Sequence, residues 1–531
     1  MKKHTSHAAS QYESENILKL TKGRKKGLLR IFFSRFGIMI ILILVQIELM
    51  LAVYTLLSGY FEWFAAFLRV FSLFMIIHLF KSDMDATAKL TWLFLIMAMP
   101  VPTAVFLLFT ETNWGHLRIK NRTKEIISDT KTKLKQNDDI LKEDDIIRSS
   151  TDSLHLYLNR SGCFPIYDNT ETKYFPFGED KFHTLTEELK KAEKFIFLEY
   201  FIIEEGYMWG SILKILADKA KEGVEVRVMY DGMCEIQLLT WDYPNRLEKL
   251  GIKCKPFSPI TPLVSTHYNY RDHRKILIID GKTAFNGGIN LADEYMNRTH
   301  PFGLWKDTAV MVKGQAAQSF TLMFLQMWNL TETEPQWDQY IVSCPDKPTR
   351  GYVMPYSDCP LDEYKIGESV YIDILNRARR YVHIMTPYLI LDNELETALK
   401  FAAQRGVDVK LILPGIPDKK IIYALTKSYY KYLIDAGVKI FEYTPGFVHA
   451  KVFVSDDEKA VVGTINLDYR SLYHHFECAT YMLGTECIAD IEEDYMKTLS
   501  VCKKVTNETI KHEKLGYKIA GPITKLIAPL M

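Results

Sequence analysis

The sequence lacks the features that would assign it quickly to several common classes. Its 66 Lys and Arg residues against 65 Asp and Glu leave a net charge of only +1 over 531 residues. No basic surplus is present to release counterions from nucleic acid, so a nucleic-acid partner is not expected. The eight cysteines are scattered without a C-x-x-C pair, which argues against a zinc site or a disulfide scaffold. With 48% apolar residues, the chain has ample material for folded cores.

The apolar residues are concentrated near the N-terminus. Three stretches stand out, at 37–57, 63–80 and 89–109, and the first contains a single acidic or basic residue, Glu48. As a helix, 21 residues reach about 30 Å, the thickness of a bilayer's hydrocarbon core. We therefore predict a transmembrane region over residues 37–110, and with it an integral, multi-pass membrane protein.

The charges around these stretches leave the number of spans open. A basic N-terminal segment, 1–36, precedes the first stretch, and a second basic cluster follows the third. The positive-inside rule places both clusters in the cytoplasm, whereas three spans would put them on opposite sides. The middle stretch is the weakest candidate, because Arg69 lies near its centre.

The remainder of the chain reads as a linker and a duplicated α/β unit. Residues 111–154 are polar and charged, typical of a juxtamembrane linker, and from residue 155 short β-branched runs alternate with amphipathic stretches. The same succession then recurs, with a boundary near 345. We expect two homologous α/β/α sandwich lobes, 155–345 and 346–531, related by a pseudo-twofold axis.

Each half carries the pattern H-x-K-x4-D. The residues are His273, Lys275 and Asp280 in the first half, and His449, Lys451 and Asp456 in the second. By chance alone, a chain of this composition would contain about 0.05 matches to this pattern. Two matches at corresponding places in a repeat are therefore a strong signal of a shared function.

The residue types suit phosphodiester chemistry. His and Lys two positions apart on a strand share one face, so pairing the halves would gather two imidazoles and two ammonium groups. The ammonium groups suit the charge that a phosphodiester gathers in its transition state. One imidazole can attack phosphorus while the other acts as general acid and base. No metal or other cofactor is needed, because the lysines supply the positive charge.

Other residues near the motifs are candidates for binding and supporting roles. Asn290 and Asn466 each follow the motif histidine by seventeen residues, and with Thr464 they are candidates for binding phosphate oxygens. Asp280 and Asp456 are candidates for the chemistry, although both stand at turn signals, so a turn or salt-bridge role is equally open. A nucleophilic His also needs a carboxylate that fixes its tautomer. Asp307 and Glu477 are the candidates for that supporting role, with surface carboxylates as the alternative.

These motifs resemble the phospholipase D superfamily, and the whole chain resembles its bacterial cardiolipin synthases. The resemblance rests on the apolar N-terminal stretches and on the segments DHRKILIIDGKTAFNGGINLADEY, LWKDTAV and FVHAKVFVSDDEKAVVGTINLDYRS. It implies transfer of a phosphatidyl group between two phosphatidylglycerol molecules in the bacterial cytoplasmic membrane, giving cardiolipin and glycerol. It further implies a nucleophilic His, which we place at His273, and a general acid and base, placed at His449. One departure is that Gly288 and Thr464 stand where the superfamily often has Ser.

Two alternatives remain open at this point. The same intermediate would serve a phospholipase D that uses water, or a transferase with another donor or acceptor. The other alternative is a membrane-anchored scaffold protein. Such a protein would be expected to lack a His or Lys from one of the motifs, and neither is lost here.

The C-terminal segment KIAGPITKLIAPLM is amphipathic, so it is expected either to lie on the membrane surface or to pack on the second lobe.

Overall fold

A computed structural model gives the fold of most of the chain. It describes residues 62–82, 84–100, 117–162, 164–259, 270–345 and 347–530, together with short pieces at 17–20, 48, 51–52, 55–56, 103–104 and 106–108. Among the described residues, five α-helices precede the first sheet: α1 (Glu62–Lys81), α2 (Ala86–Ala98), α3 (Leu117–Thr130), α4 (Asp144–Ser149) and α5 (Thr151–Ser161).

The first lobe is built on a seven-stranded mixed sheet. Its elements are β1 (Thr170–Phe175), α6 (Gly178–Lys190), β2 (Phe195–Tyr200), α7 (Tyr207–Lys221), β3 (Glu225–Asp231), α8 (Cys234–Gln237), α9 (Tyr243–Glu248), β4 (Ile252–Phe257), β5 (Arg271–Asp272), β6 (Lys275–Ile279), β7 (Thr283–Gly287), β8 (Leu304–Lys306), β9 (Ala309–Gly314) and α10 (Ala317–Trp328). The strand order is β1-β9-β7-β6-β2-β3-β4. Strands β2, β3 and β4 are parallel, and the other pairs are antiparallel.

The second lobe repeats this arrangement. Its elements are β10 (Tyr352–Asp358), α11 (Ile366–Arg377), β11 (Tyr381–Met385), α12 (Asn393–Gln404), β12 (Asp408–Pro414), α13 (Lys420–Asp435), β13 (Lys439–Tyr443), β14 (Gly446–Val448), β15 (Val452–Ser455), β16 (Lys459–Gly463), α14 (Tyr469–Tyr473), β17 (His475–Leu483), α15 (Cys487–Ser500), β18 (Cys502–Lys504), α16 (Asn507–Lys511) and α17 (Leu515–Lys525). The order β10-β17-β16-β15-β11-β12-β13 matches the first sheet position for position, with β18 added at the edge. The expected α/β class is confirmed, and both sheets are mixed.

The sequence explains why the central strands lie where they do. Every residue of β2 (FIFLEY) is buried, and so is every residue of β6 and β17. Strands that are covered by helices on both faces of a sheet carry such continuous apolar runs rather than alternating ones. The helix α7 contributes the opposite pattern, since only one face of it is apolar and buried.

Two short strands cross between the lobes. Residues of β5 leave the first sheet and pair in parallel with β17 of the second lobe, where Arg271 faces His475. In the equivalent exchange, β14 of the second lobe pairs in parallel with β8 of the first. Because β5 and β14 immediately precede the two motif histidines, these exchanges bring the two motifs together.

The predicted membrane region falls only partly within the described residues. The stretch 63–80 forms α1, and 89–109 begins in α2, whereas most of 37–57 lies outside the described residues. Among the residues that the structure describes, no helix has both the length and the apolarity to cross a bilayer. The three spans stay a prediction.

Candidate active site

Both motif histidines are held by backbone contacts with the opposite lobe. The amide of His273 donates to the carbonyl oxygen of Phe476 at 2.9 Å, and the amide of His449 donates to that of Lys306 at 2.7 Å. Each histidine therefore lies in the link between two strands. The sequence pattern had predicted a position within a strand. The chain changes sheets there, which turns both imidazoles toward the junction of the lobes.

Each imidazole is hydrogen-bonded to a carboxylate of the other lobe. Nδ1 of His273 lies 2.8 Å from Oε1 and 3.0 Å from Oε2 of Glu477. Nδ1 of His449 lies 2.6 Å from Oδ2 of Asp307. Both carboxylates are fully buried. With the proton on Nδ1 facing the carboxylate, the lone pair of each ring is on Nε2.

Glu477 is itself held by hydroxyl groups. Ser471 donates from Oγ to Oε1 at 2.7 Å, and Thr464 donates from Oγ1 to Oε2. The carboxylate thus has hydrogen-bond partners on both oxygens, which restricts its position and keeps His273 in one tautomer. The hydroxyl of Thr464 is used here, and we therefore place Thr464 as a support of Glu477 rather than as a phosphate ligand.

The two motif lysines complete the cluster. Lys275 donates from Nζ to the carbonyl oxygen of His273 at 2.6 Å, and Lys451 donates to that of His449. Both lysine side chains are almost fully buried. Their charges act across the lobes, because Lys451 lowers the pKa of His273 and Lys275 lowers that of His449. Two imidazoles and two amines therefore share one buried site.

Burial sets the ionisation state of this cluster. It lowers the pKa of His449 to about 4, with Lys451 acting in the same direction, and it lowers that of His273 well below the usual range. Burial also lowers the pKa of Lys275 to about 8 and that of Lys451 to about 7. Without an anion in the site, both imidazoles are neutral near pH 7 and the lysines are close to losing their protons.

The motif aspartates lie elsewhere. The Asp280 carboxylate accepts from the backbone amides of Glu193, Lys194 and Phe195 at 2.7–2.8 Å. Asp456 does the same for residues 379–381 at 2.7–2.9 Å. Each aspartate thus anchors the entry to the strand beside its own motif, β2 or β11. The structure does not bring them to the histidines and lysines, so we place both outside the chemistry.

The two asparagines differ from each other. Asn290 uses both of its polar atoms within its own lobe, since its Oδ1 accepts from the amide of Ile202 at 3.1 Å and its Nδ2 donates to the hydroxyl of Tyr295 at 2.7 Å. These bonds brace the loop after β7. Asn466 is also buried, yet its Oδ1 has no hydrogen-bond partner among the described residues, so only this asparagine remains a candidate for a substrate contact.

Comparisons with known proteins agree with this geometry. A family model described as "Cardiolipin synthase, PLD-like domain" matches residues 185–328 and 371–499. A protein of Alkalihalophilus pseudofirmus named cardiolipin synthase is 32% identical over 86% of this chain and 92% of its own length. A Streptococcus mutans protein, named only as uncharacterized, is 58% identical over 86% of this chain and 99% of its own.

The chain belongs to the cardiolipin synthase family of phospholipase D-like proteins. The resemblance expected from the two motifs is confirmed. Among solved structures, phosphatidylserine synthase from Haemophilus influenzae Rd KW20 aligns with a TM-score of 0.56 at 14% identity, covering 73% of this chain and 98% of that one. That likeness supports the fold alone.

The structure explains why Gly288 departs from the Ser often found there in the superfamily. Gly288 corresponds to Thr464, but it faces the shorter carboxylate of Asp307, which lies closer to its own backbone. A Cβ on Gly288 would lie 2.1 Å from Oδ1 of Asp307. The first lobe therefore holds its carboxylate by the amide of Thr308, at 2.8 Å, and has no room for a hydroxyl group.

Three further residues at or near the site were not among the residues predicted from the sequence. His475 and Trp305 occupy equivalent places, two residues before Glu477 and Asp307, and their rings lie 5.3 Å and 5.5 Å from those of His273 and His449. Lys181 of α6 is fully buried, and burial lowers its pKa to about 7. The shared position before each carboxylate was readable in the sequence as H-x-E and W-x-D. Nothing distinguished Lys181 from other helical lysines.

Two groups of side chains in the described residues are close enough to ligate a cation. His273, His475 and Glu477 offer ligand atoms within 4.8 Å of one another, and so do Glu368, Asp392 and Glu394. The first group overlaps the cluster of two lysines, whose charges oppose a bound cation. The second is an acidic group outside the histidine and lysine cluster.

Proposed function

We propose that this protein is a cardiolipin synthase that transfers a phosphatidyl group between two phosphatidylglycerol molecules through a phosphohistidine on His273. The observation that carries the proposal is the crossed pairing of His273 with Glu477 and His449 with Asp307 around two buried lysines. Two imidazoles oriented in this way can act from opposite sides of one phosphate group. Family membership supports the same reaction class.

In the first half-reaction, Nε2 of His273 attacks the phosphorus of phosphatidylglycerol. The bond between phosphorus and the headgroup glycerol oxygen breaks, and His449 in its protonated form gives a proton to that oxygen, so glycerol leaves. Glu477 stabilises the positive charge that develops on the His273 ring. The anionic diester raises the pKa of the neighbouring imidazole and ammonium groups, which lets His449 gain the proton it must donate.

In the second half-reaction, a headgroup hydroxyl of another phosphatidylglycerol is the acceptor. His449, now neutral, takes the hydroxyl proton while the oxygen attacks phosphorus. The bond between phosphorus and nitrogen breaks, which frees His273 and forms cardiolipin. Lys275 and Lys451 stabilise the charge on the non-bridging oxygens in both steps.

The proposed location is the bacterial membrane, with residues 37–110 as the anchor. Support comes from the described part of that region, where α1 and α2 expose large apolar side chains. Phe74, Phe80 and Met97 are 64%, 71% and 72% exposed. Exposed apolar patches on a protein surface mark sites that bind a membrane or another protein.

The reaction is tested by its products. The full chain in detergent micelles receives phosphatidylglycerol alone, and the lipids are identified by mass spectrometry. We expect cardiolipin with an equal amount of glycerol. Phosphatidic acid instead would mean that water is the acceptor, and no product would overturn the proposal for this donor. His512→Asn, at a histidine that is 78% exposed, is the control for His273→Asn, which should give no product.

The nucleophile is tested with a donor that needs no general acid. A phosphatidyl ester of p-nitrophenol releases a stable leaving group, so covalent transfer no longer depends on His449. We expect His449→Ala to give a burst of p-nitrophenol and a phosphatidyl adduct that peptide mass spectrometry places on His273. His273→Ala should give neither. An adduct on His449 in the His273→Ala protein would reverse the two roles.

A further inference from the structure

The C-terminal helix α17 has two faces with opposite environments. Gly521 and Thr524 are buried against the second lobe, whereas Leu515, Ile519 and Ile523 are 70%, 53% and 61% exposed. The exposed residues are spaced by four, so they form one stripe along the helix. The sequence predicted either packing on the second lobe or membrane contact for this segment. One face of the helix packs on the lobe, and the apolar stripe on the other face is exposed.

The packed face fixes the direction of the exposed stripe. Gly521 touches α13 so closely that a Cβ on it would lie 2.6 Å from the carbonyl oxygen of Ala424. On the same side, the ring of Tyr517 packs edge-on against that of Tyr423, with centroids 5.6 Å apart. The helix cannot roll to bury its apolar stripe without losing these contacts.

The stripe is continuous with the apolar N-terminal helices. The hydroxyl of Thr91 in α2 donates to the carbonyl oxygen of Leu526 at 2.7 Å, immediately after α17 ends. Leu526 is 51% exposed, and Leu90, next to Thr91, is 65% exposed. Helix α2 and the end of α17 are therefore in contact, and exposed apolar side chains lie on both sides of that contact.

Lysines and their acidic partners lie beside the stripe. Lys427, Lys431, Lys518 and Lys525 line the cleft between α13 and α17, where Lys427 pairs with Glu513, Lys431 with Asp435 and Lys525 with Glu396. Because these pairs neutralise one another, the exposed apolar stripe and its position next to α1 and α2 are what indicate a helix that lies in the headgroup region of a leaflet. A protein partner would not require the continuity with α1 and α2.

We propose that α17 is an interfacial helix that lays Leu515, Ile519 and Ile523 into the anionic phospholipid leaflet and holds the catalytic lobes in one orientation on it. This inference rests on the proposed membrane location and not on the reaction. The anchor alone would keep the lobes near the surface. The helix α17 adjoins the anchor and extends the membrane contact along the second lobe, which limits the rotation of the lobes.

The contact is tested directly on the unaltered full chain. The protein is reconstituted in vesicles of phosphatidylglycerol and phosphatidylcholine that carry a diazirine-labelled acyl chain, illuminated, and mapped by peptide mass spectrometry. We expect lipid adducts in 515–527 as well as in 62–108. Adducts in 62–108 alone would overturn the inference while the proposed location stands. Adducts in neither region would overturn both.

The functional consequence separates orientation from chemistry. The double variant Ile519→Glu/Ile523→Glu should lower activity on vesicles about tenfold, because the introduced carboxylates do not enter the leaflet as the isoleucines do. Its activity in detergent micelles should change less than about twofold. Leu156→Glu, at a residue of α5 that is 56% exposed, is the matched control and should be near wild type in both. Equal losses in vesicles and micelles, or no loss in vesicles, would contradict the orienting role. A wild-type protein inactive in micelles would contradict the proposed reaction instead.

Discussion

Nδ1 of His273 lies 2.8 Å from Oε1 of Glu477, a carboxylate 204 residues further along the chain and in the other lobe. The counterpart is the pairing of His449 with Asp307. Neither motif histidine therefore has its carboxylate partner in its own lobe, and each half-site is completed by the other lobe. Any change that separates the lobes should remove both pairs at once.

Replacing Glu477 with Gln should lower kcat by about 10³ to 10⁴-fold with little change in KM, because the amide no longer selects the Nδ1–H tautomer of His273 or stabilises its charge. The measurement is steady-state kinetics with phosphatidylglycerol in micelles. Glu492→Gln is the matched control, since Glu492 holds His383 at 2.9 Å in a pair outside the cluster. Equal effects of the two variants would mean that Glu477 is merely structural.

The activity of the free enzyme should fall as pH rises above 7. Burial lowers the pKa of Lys451 to about 7 and that of Lys275 to about 8, and only the protonated amines stabilise the phosphate charge. The alkaline limb of kcat/KM, which reports the free enzyme, should therefore begin near pH 7. Lys451→Arg stays charged, so its limb should move toward the pKa of Lys275. Lys511→Arg, at a residue 75% exposed, should leave the profile unchanged, and an unmoved limb in Lys451→Arg would refute the assignment.

Gly288→Ala should impair the general acid and base without touching a histidine. The added methyl group would lie 2.1 Å from Oδ1 of Asp307, so the carboxylate must shift from the position in which it is bonded to His449. We expect kcat to fall about 100-fold, in line with the loss of a second-sphere partner. Gly516→Ala is the control, because a Cβ there meets nothing within 4 Å and should leave kcat unchanged. Full activity in Gly288→Ala would show that the Asp307 position is not needed.

The aspartate and lysine of one motif should fail in different ways. Asp280→Asn weakens the acceptor for three backbone amides and should lower the free energy of unfolding by about 1–3 kcal/mol, leaving kcat of the folded protein near wild type. Lys275→Ala should instead lower kcat by about 10²-fold or more. Thermal unfolding and kinetics on the same preparations separate the two. A large loss of kcat in folded Asp280→Asn would return Asp280 to the chemistry.

Removal of divalent metal should leave turnover unchanged. The proposed steps take their positive charge from Lys275 and Lys451, and both histidines act through ring nitrogens. Dialysis against EDTA, followed by the micelle assay, should give the rate of the untreated protein. A loss of activity that added metal restores would contradict the mechanism.

The repeat and the two motifs were readable in the sequence because duplication keeps residue types at fixed offsets. Family membership, the α/β class and the clustering of two His and two Lys side chains followed from those offsets. The turn signals at Asp280 and Asp456 were also visible, and the structure favours that interpretation over a direct role in the chemistry.

Only the tertiary structure decided which carboxylate serves which histidine. Asp307 and Glu477 stand near motifs of their own halves in the sequence, but β5 and β14 leave their sheets and pair with strands of the opposite lobe. Linear spacing carries no information about such an exchange, because it depends on contacts between residues of different lobes. Within each lobe, spacing also does not reveal that the hydroxyl of Thr464 turns to Glu477 or that Asp307 leaves no space for a side chain at Gly288. Local pattern determined the parts of this site, and the contact between lobes determined how they are paired.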